Sequence, residues 1–473
     1  MTEMDAIRNA GVIGAGGAGF PTYAKLKARA EYVLLNGAEC EPLLRVDQQI
    51  MEFRADDVVS GTAAALRVTG AKKAIIGIKG KHAAAIDALR RAINKDGLAE
   101  QVEVRVIRDV YPAGDEQILV YDLTGRVVPE TGLPIQVGCV VLNSETAMNI
   151  HSALTGGCVT EKYLTVSGDV PKPVTLKVPV GIRIRDVLGA AGLTDTNGIF
   201  VIDGGPMMGN LLPDVDEFVT KKSKGYIVLK AEHPLVRKKL IDVPQAVRIG
   251  KSACEQCRMC TDLCPRYLLG HDMQPHKLMR ALAYYTDDFT GQRTSYLCSQ
   301  CGLCQFFSCP AGLYPRSASL YYRELLTREG MRYEPKDKVY GERAFRRHRL
   351  VSTKRLVRRL GLYEFDLPAP LQEGMLQADY VRIYMSQHVG APARPTVSPG
   401  ETVRVGQMVG SVGAESLGVP VHASISGIVE EANEQYVSIS KNAIVDGGSY
   451  GECDWYAGGD ERGARHLYGG SDG

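Results

Sequence analysis

The sequence has no strong excess of charge of either sign and no long apolar run. Lys plus Arg total 56 and Asp plus Glu total 54, which leaves a net charge of +2. Such a balance gives no general field for nucleic acid or for a membrane surface. No stretch approaches the ~18 apolar residues of a membrane-spanning helix, and the segment Met1–Asn9 lacks a secretory apolar region. We therefore expect a cytoplasmic protein with no nucleic-acid partner and no transmembrane segment.

Cysteines are unevenly distributed, and their distribution argues against a disulfide framework. Eight of the 12 cysteines lie in two compact groups between Cys254 and Cys309. This is the spacing of metal ligands in a reducing compartment. Buried or incidental thiols are the expectation for the four scattered cysteines, which are Cys40, Cys139, Cys158 and Cys453.

The first third of the chain alternates between short β-rich runs and helical patterns. Since 473 residues exceed one ordinary core, several modules are expected. Strands are predicted at Tyr32–Asn36, Ala74–Ile78, Val102–Ile107 and Cys139–Leu142. Helices are predicted at Asp56–Val68 and His82–Ile93. This pattern predicts an α/β domain with a largely parallel sheet, whose glycine-rich turns follow the strands where ligands usually bind.

After the first third of the chain, the pattern of predicted strands and helices changes and indicates smaller modules. Short strands at Tyr163–Ser167, Thr175–Val178 and Phe200–Ile202, with a helix near Ile184–Ala191, fit an α+β domain of β-grasp type. The amphipathic segment His276–Tyr285 lies between the two cysteine groups, as in an α-helical ferredoxin. Alternating strands at Val403–Gly410 and Val419–Val429 predict a small β-sandwich or barrel.

A basic stretch from Gly341 to Gly361 interleaves arginines and lysines with leucines and valines. We expect a solvated helix face, because charge runs of this kind usually face water. A docking surface for an acidic partner, or for a flavin phosphate, is the alternative.

The two cysteine groups repeat one ligand motif. Cys254, Cys257, Cys260 and Cys264 followed by Pro265 form C-x-x-C-x-x-C-x-x-x-C-P, the bacterial ferredoxin pattern for a [4Fe–4S] cluster. The second group repeats it with one residue inserted before the last cysteine, at Cys298, Cys301, Cys304 and Cys309. In two-cluster ferredoxins the fourth cysteine of each run ligates the other cluster.

We therefore assign the ligands in a crossed manner and leave sequential pairing as the alternative. Cys254, Cys257, Cys260 and Cys309 hold one cluster, and Cys264, Cys298, Cys301 and Cys304 hold the other. A pair of structural zinc ions is the competing interpretation, but zinc sites commonly use two C-x-x-C pairs and not triplets followed by Cys-Pro.

A glycine-rich loop near the amino terminus is the second candidate site. Gly14-Ala15-Gly16-Gly17-Ala18-Gly19-Phe20-Pro21 lets backbone N–H groups approach a phosphate closely. A Rossmann fingerprint is disfavoured, because Pro21 stands where the helix should open.

With three further segments, this loop resembles the FMN-binding flavoproteins of NADH:quinone oxidoreductase and of the Rnf electron-transport complex. These segments are Asn36–Pro42, Tyr111–Glu116 and Asn143–Thr146, and they follow the loop in the family's order. The resemblance implies that Gly14, Gly16, Gly17, Gly19 and Lys25 hold the flavin and its phosphate. It also implies that Asn143, Ser144 and Thr146 cap the phosphate. Further implied cofactor-binding residues are Phe20, Asn36, Glu39, Glu41, Tyr111, Gly114, Asp115 and Glu116, of which Glu41 and Glu116 are the catalytic candidates near the nicotinamide. Two departures, Ala15 and Ala38, favour the Rnf-like branch.

The order of the modules resembles that of the cobalamin reductases of propanediol-utilisation microcompartments. Residues 160 to 245 look like a soluble-ligand-binding β-grasp (SLBB) domain, and the carboxy-terminal module looks like a lipoyl-type barrel-sandwich hybrid, which Rnf proteins carry before the flavin loop. This module lacks the modifiable lysine, so no lipoate or biotin is expected, and His422 is expected to pack or to form a hydrogen bond.

The expected domains follow from this resemblance. They are an FMN/NADH-binding α/β domain at 1–158, an SLBB domain at 159–246, a tandem [4Fe–4S] ferredoxin-like domain at 247–330, a basic helical linker at 331–385, a barrel-sandwich hybrid at 386–457 and a disordered tail at 458–473.

The resemblance also implies a function. Hydride from NADH reaches FMN, and single electrons pass through two [4Fe–4S] clusters to cobalamin, which reactivates a B12-dependent diol dehydratase. An adenosyltransferase and microcompartment shell proteins are the implied partners. A component of an Rnf-type membrane ion pump and an electron conduit across the shell remain alternatives. The corrin-binding site and the oligomeric state stay open.

Overall fold

The first domain is built on a parallel sheet. The computed structural model describes residues 1–283, 289–335, 338, 340–441 and 453. Its first five strands are β1 (Tyr32–Gly37), β2 (Lys73–Lys79), β3 (Val102–Ile107), β4 (Val110–Tyr111) and β5 (Cys139–Asn143). The order β3-β2-β1-β5 is parallel throughout, with Tyr32 opposite both Lys73 and Cys139. The sheet is covered on its two faces by separate apolar clusters, so β1 and β2 are almost fully buried.

Seven helices accompany this sheet. They are α1 (Glu3–Asn9), α2 (Thr22–Leu26), α3 (Val46–Phe53), α4 (Ala55–Thr69), α5 (Ala83–Lys95), α6 (Glu116–Thr124) and α7 (Ser144–Leu154). Asp115 caps α6 by accepting from the N–H groups of Gln117 and Ile118. The strands and helices predicted for this domain are confirmed to within two residues at each end.

One glycine sets the distance between helices α4 and α7. A Cβ on Gly61 of α4 would lie 1.8 Å from the backbone oxygen of Ala147 in α7. The two helices therefore pack at backbone contact, which a larger residue would prevent.

The second module is a mixed sheet of six strands. It contains β6 (Glu161–Gly168), β7 (Val174–Pro179), β8 (Ile199–Asp203), β9 (Asn210–Leu211) and β10 (Gly225–Lys230), with α8 (Ile184–Ala190). The sixth strand is contributed by a later segment, which gives the order β12-β7-β6-β10-β8-β9. The predicted strands and the short helix of this region are confirmed.

The cysteine-bearing module is helical. Its helices are α9 (Pro234–Leu240), α10 (Val243–Ala253), α11 (Met259–Asp262), α12 (Pro265–Leu268), α13 (Pro275–Ala283), α14 (Thr290–Arg293) and α15 (Pro315–Arg328), with a π-helical turn at Cys304–Ser308. Helix α13 confirms the amphipathic segment between the cysteine groups up to Ala283, and residues 284 and 285 lie outside the described part of the chain.

The basic stretch is not one solvated helix, which corrects the interpretation made from charge. It contains a 3₁₀ turn at Arg346–His348, the strand β11 (Val351–Ser352) and α16 (Thr353–Arg359). Strand β11 pairs with β4, and the buried Arg346 guanidinium pairs with Asp122 of α6 at 2.6 Å. The ion pair of Arg346 and the pairing of β11 with β4 hold the stretch against the first domain.

The carboxy-terminal module combines two small sheets. The strand β12 (Leu371–Met375) joins the six-stranded sheet, and the next seven are β13 (Tyr380–Tyr384), β14 (Arg394–Pro395), β15 (Thr402–Val403), β16 (Met408–Ser411), β17 (Val421–His422), β18 (Gly427–Ala432) and β19 (Tyr436–Lys441). The sheet orders are β13-β19-β18-β15 and β14-β16-β17.

This module shares a hydrophobic core with the second module. Val166 and Val228 of the second module belong to the same buried cluster as Val381, Val421 and Ile439. The two modules therefore pack as one apolar unit. Strand β13 lies inside the predicted linker but pairs with β19. The predicted tail at 458–473 lies outside the described residues.

Candidate functional site

A cavity of about 630 Å³ opens where β1 and β5 end. Its volume falls in the range of small-molecule sites, ~300–1,000 Å³. Eleven of the residues expected to bind a cofactor line it, namely Gly14, Gly16, Gly17, Gly19, Phe20, Lys25, Asn36, Gly114, Glu116, Asn143 and Thr146. The position agrees with the rule that parallel sheets bind ligands at the carboxyl ends of their strands.

The glycine-rich loop forms one wall of this cavity. The N–H of Gly14 donates to the carbonyl of Phe20 at 2.9 Å and closes the loop. Gly16 and Gly19 adopt φ values of +78° and +73°, which side-chain-bearing residues rarely adopt. A Cβ on Gly17 would meet nothing within 4 Å, so this backbone faces open space. The loop can therefore present its amide groups to a phosphate.

Residues at the start of α7 hold this loop in place. The Asn143 side-chain amide donates to the Ala15 carbonyl at 2.6 Å, and the Ala15 N–H donates to the Thr146 hydroxyl at 3.0 Å. Ser144, also expected at the phosphate, donates instead to the buried Asp47 carboxylate at 2.6 Å. Asn143 and Thr146 thus shape the loop, and Ser144 lies behind it.

Lys25 and Glu116 form the charged part of the cavity lining. Their Nζ and Oε1 atoms are 2.8 Å apart, and the side chains are 34% and 40% exposed. An ion pair this accessible contributes little to stability, so the lysine can reorient towards an anionic ligand at small cost. A lysine beside a glycine loop fits a phosphate-bearing ligand such as FMN.

Two acidic residues proposed for the flavin or nicotinamide lie away from the cavity. The Glu39 carboxylate accepts from the N–H groups of Asp47 and Gln48 at 2.9 and 3.0 Å, at the start of α3. The Glu41 carboxylate accepts from the N–H groups of Met207 and Met208 at 2.9 and 3.1 Å. Burial raises the pKa of both carboxyl groups. Both carboxylates therefore hold backbone segments in place by accepting hydrogen bonds from their N–H groups.

Tyr111 and Asp115 both contact the cysteine module. The Tyr111 hydroxyl donates to the carbonyl of Cys301 at 2.6 Å, and burial raises its pKa strongly. The Asp115 carboxylate caps α6 and pairs with Arg266 at 2.9 Å. Gly114, between them in sequence, lines the cavity. This segment therefore spans the two candidate sites.

Sequence reasoning missed two lysines of the second module that lie against the glycine loop. Side-chain atoms of Lys222 and Lys224 would each lie 2.9 Å from a Cβ placed on Gly19 and Gly16, respectively. Lys224 also forms an ion pair with Asp47, which helps to raise its pKa although burial opposes the charge. The dense lysines at 221–224 were visible in the sequence, but their contact with residues 16–19 was not.

The cysteines of the third module form two neighbouring quartets. Cys254, Cys257, Cys260 and Cys309 line one small cavity, and we call them the outer quartet because Cys257 is exposed. The sulfurs of Cys264, Cys298, Cys301 and Cys304 interact with one another, and we call them the inner quartet. Cys304 also interacts with Cys260, so the quartets are adjacent. This grouping has the crossed arrangement.

The donor chemistry of the quartets fits iron–sulfur clusters. In the described part of the chain, no three of these eight sulfurs lie within 4.8 Å of one another. Their spacing suits a multi-iron cluster better than one zinc ion. Burial raises the pKa of Cys260 and of Cys264 to about 12, so these thiols release protons when metal binds.

Backbone amides surround the quartets. The N–H of Gln300 points to the Cys298 sulfur at 3.4 Å, and that of Leu313 to the Cys309 sulfur at 3.3 Å. Gln256, Arg258 and Gln300 adopt φ values of +54°, +65° and +60°, which curl the loops between the cysteines. Hydrogen bonds to sulfur are among the factors that set the potential of a cluster.

The fold and these sites define a flavin and iron–sulfur electron-transfer protein. Family models match in four places: the Nuo51 FMN-binding domain at residues 7–152, the SLBB domain at 163–211, the 4Fe-4S dicluster domain at 253–314 and the RnfC barrel sandwich hybrid domain at 369–445. These matches confirm the predicted multidomain α/β and α+β fold class.

Similar proteins narrow the class. The chain is 42% identical to the cobalamin reductase PduS of Citrobacter freundii, over 93% of this chain and 96% of that protein. It is 41% identical to PduS of Salmonella typhimurium, over 92% and 95%. The chain belongs to the PduS family of cobalamin reductases. A component of the Na(+)-translocating ferredoxin:NAD(+) oxidoreductase complex of Acetobacterium woodii is 36% identical, over 56% of this chain and 59% of that one.

Cys158 and Cys453, two of the four cysteines expected to be buried or incidental thiols, are buried but are not free. They are paired as a disulfide in the structure, with Cα atoms 5.7 Å apart across 295 residues of sequence.

Within the described ranges, no helix is both long enough and apolar enough to cross a membrane.

Proposed function

We propose that this protein oxidises NADH at FMN and delivers the electrons singly, through two [4Fe–4S] clusters, to cobalamin. The observation that supports this most directly is the hydrogen bond from Tyr111, three residues before the cavity-lining Gly114, to the carbonyl of Cys301 in the inner quartet. Bound FMN supplies the exchange between a hydride and single electrons, and the clusters supply one-electron transfer.

Different residues of the cavity would hold different parts of FMN. The amide groups of Gly16 and Gly17 would bind the phosphate, and Lys25, now paired with Glu116, would neutralise its charge. Asn36 faces the remainder of the flavin, with its amide held by the Gly114 carbonyl at 2.8 Å. Phe20, 40% exposed at the loop, and Glu116 are then placed for the nicotinamide.

The quartets provide a route from the cavity to the surface. Tyr111, in the segment that also carries the cavity-lining Gly114, bonds to Cys301. Cys304 of the inner quartet neighbours Cys260 of the outer quartet, and Cys257 is exposed. We assign one [4Fe–4S] cluster to each quartet in the crossed manner. Electron transfer to an external acceptor then occurs beside Cys257.

The acceptor follows from the family. The PduS relatives are named cobalamin reductases, and we extend this activity to the present chain, with cob(III)alamin and cob(II)alamin as successive acceptors. The reduced corrinoid would serve an adenosyltransferase and a B12-dependent diol dehydratase within a microcompartment bounded by shell proteins. The Rnf-type role receives less support, because that relative matches 56% of the chain and the PduS relatives match 92–93%.

One experiment tests the proposal directly. The protein is reconstituted anaerobically with iron, sulfide and FMN, and NADH-dependent reduction of hydroxocobalamin is followed by absorbance. We expect turnover with the corrinoid, dependent on both FMN and iron. Turnover with ferredoxin and none with hydroxocobalamin would instead support the Rnf-type role.

A further inference from the structure

A buried group of metal-ligand side chains lies outside the flavin and iron–sulfur sites. The ligand atoms of Cys158, His422 and Cys453 lie within 4.8 Å of one another. The three residues are 6%, 2% and 3% exposed. Nothing in the electron-transfer function uses them.

The imidazole of His422 is the informative member. Within the described part of the chain, neither buried nitrogen, Nδ1 or Nε2, makes a hydrogen bond of good geometry, and the Asn9 backbone interacts with the ring as an acceptor. Buried polar atoms are nearly always satisfied, so the nitrogen that Asn9 does not reach requires an explanation. A metal ion bound to one nitrogen provides it. The backbone of Asn9 lies near the ring and can then take the proton of the other nitrogen.

The three side chains come from well-anchored but distant parts of the chain. Cys158 follows α7, and its neighbour Val159 donates to the Ala10 carbonyl at 2.9 Å. His422 ends β17, opposite Met408 of β16. The N–H of Cys453 donates to the Gly156 carbonyl at 3.0 Å. An ion here would join the first domain, the carboxy-terminal module and the segment at residue 453.

A direct sulfur–sulfur bond satisfies this site less well than a metal ion. The disulfide leaves an imidazole nitrogen of His422 without a partner. Free cluster cysteines also require a reducing compartment, where structural disulfides are rare. Two thiolates neutralise a divalent ion, which suits a buried position beside the Lys221 ammonium, itself held by the carbonyls of Gly11 and Pro420 at 2.8 and 3.3 Å.

We propose that Cys158, His422 and Cys453 bind one zinc ion in the reduced protein. Two thiolates and an imidazole are ligands that zinc prefers, and they fill three of its four positions. The ion would fasten the carboxy-terminal module and Cys453 to the flavin domain. It is separate from the eight iron–sulfur cysteines.

The test measures metal content in the full-length holoprotein. Wild-type protein, purified anaerobically with a phosphine reductant and loaded with iron, sulfide and FMN, is incubated with zinc and desalted. Elemental analysis should give one zinc per chain besides the iron. X-ray absorption at the zinc edge should give two sulfurs at ~2.3 Å and one nitrogen at ~2.0 Å. We expect Cys453→Ser to lower the zinc content at least about tenfold with iron unchanged.

Matched variants separate this site from the clusters. Cys257→Ser should lower iron and leave zinc unchanged, and Cys40→Ser, outside both sites, should change neither. Should Cys453→Ser misfold, His422→Ala provides the same comparison. Wild-type protein without zinc, zinc unaffected by Cys453→Ser, zinc surrounded by four sulfurs, or a Cys158–Cys453 disulfide found by mass spectrometry in the reduced protein would each overturn the proposal.

Discussion

The hydroxyl of Tyr111 donates a hydrogen bond of 2.6 Å to the backbone carbonyl of Cys301. One residue belongs to the segment beside the flavin cavity and the other to the inner quartet. Tyr111→Phe should therefore slow electron transfer from flavin to cluster while leaving flavin reduction by NADH intact. Loss of one buried hydrogen bond should also destabilise the protein by about 1 kcal/mol.

Stopped-flow absorbance separates these two steps, since flavin and clusters absorb at different wavelengths. Tyr163→Phe is the matched control, because its hydroxyl interacts with Arg54 at 3.0 Å, away from the cysteines. Equal rates of cluster reduction in wild type and Tyr111→Phe would show that this contact is not on the route.

Lys25 supplies positive charge to the cavity, so Lys25→Met should weaken FMN binding. A charge-assisted hydrogen bond contributes about 1.5–3 kcal/mol, which corresponds to a loss of affinity of about ten- to a hundredfold. Quenching of FMN fluorescence on titration with apoprotein measures it. The exposed Lys27 lies over the Tyr23 ring and outside the cavity lining, so Lys27→Met should bind FMN like wild type. Equal affinity of both variants would remove Lys25 from the phosphate site.

Backbone contact between α4 and α7 makes Gly61 sensitive to substitution. In Gly61→Ala the new methyl group would lie 1.8 Å from the Ala147 oxygen, so the helices must separate. We expect a loss of stability of about 1–3 kcal/mol, and weaker FMN retention because α7 carries Asn143 and Thr146 at its start.

Urea unfolding and flavin content measure these two effects. Gly189→Ala is the control, because a Cβ on this helical glycine would meet nothing within 4 Å. That variant should be as stable as wild type or more so. Comparable midpoints for the two alanine variants would contradict the packing argument.

His82 predicts a specific dependence of stability on pH. Burial lowers its pKa from 6.5 to about 4, and the cations Lys81, Lys79 and Arg45 act in the same direction. Between these values the unfolded chain binds a proton that the folded protein does not. Stability from this group is therefore complete above pH 6.5 and decreases as the pH falls towards 4, by about 1–2 kcal/mol after allowance for partial exposure.

His82→Asn should remove this part of the pH dependence. Urea midpoints of both proteins at several pH values between 7.5 and 4 give the difference. Parallel curves for the wild type and the variant would show that His82 titrates normally.

Local sequence patterns predicted the helices and strands. Contacts between residues that are far apart along the chain could not be predicted in this way. Hydrophobic periodicity was sufficient for β1, β2 and α13, because burial of one face is written into neighbouring residues. The spacing of the cysteines grouped them before the structure did. By contrast, the contacts of Glu41 with Met207 and Met208 join different modules, and no local pattern specifies such partners.

The interpretation of the basic stretch as a solvated helix face was wrong for the same reason. Its composition is that of a solvated helix face, and the acidic partner of Arg346, Asp122, lies 224 residues earlier in the chain. The pairing of Cys158 with Cys453 across 295 residues was equally hidden. Sequence therefore indicated which residues carry chemistry more reliably than which residues meet.

The most direct test of the account is a rapid-mixing comparison of anaerobically reconstituted wild type and Cys257→Ser with NADH and hydroxocobalamin. We expect flavin to be reduced at the same rate in both proteins, whereas corrinoid reduction is lost in the variant together with the outer cluster. Corrinoid reduction at the wild-type rate by Cys257→Ser would contradict a route through the quartets.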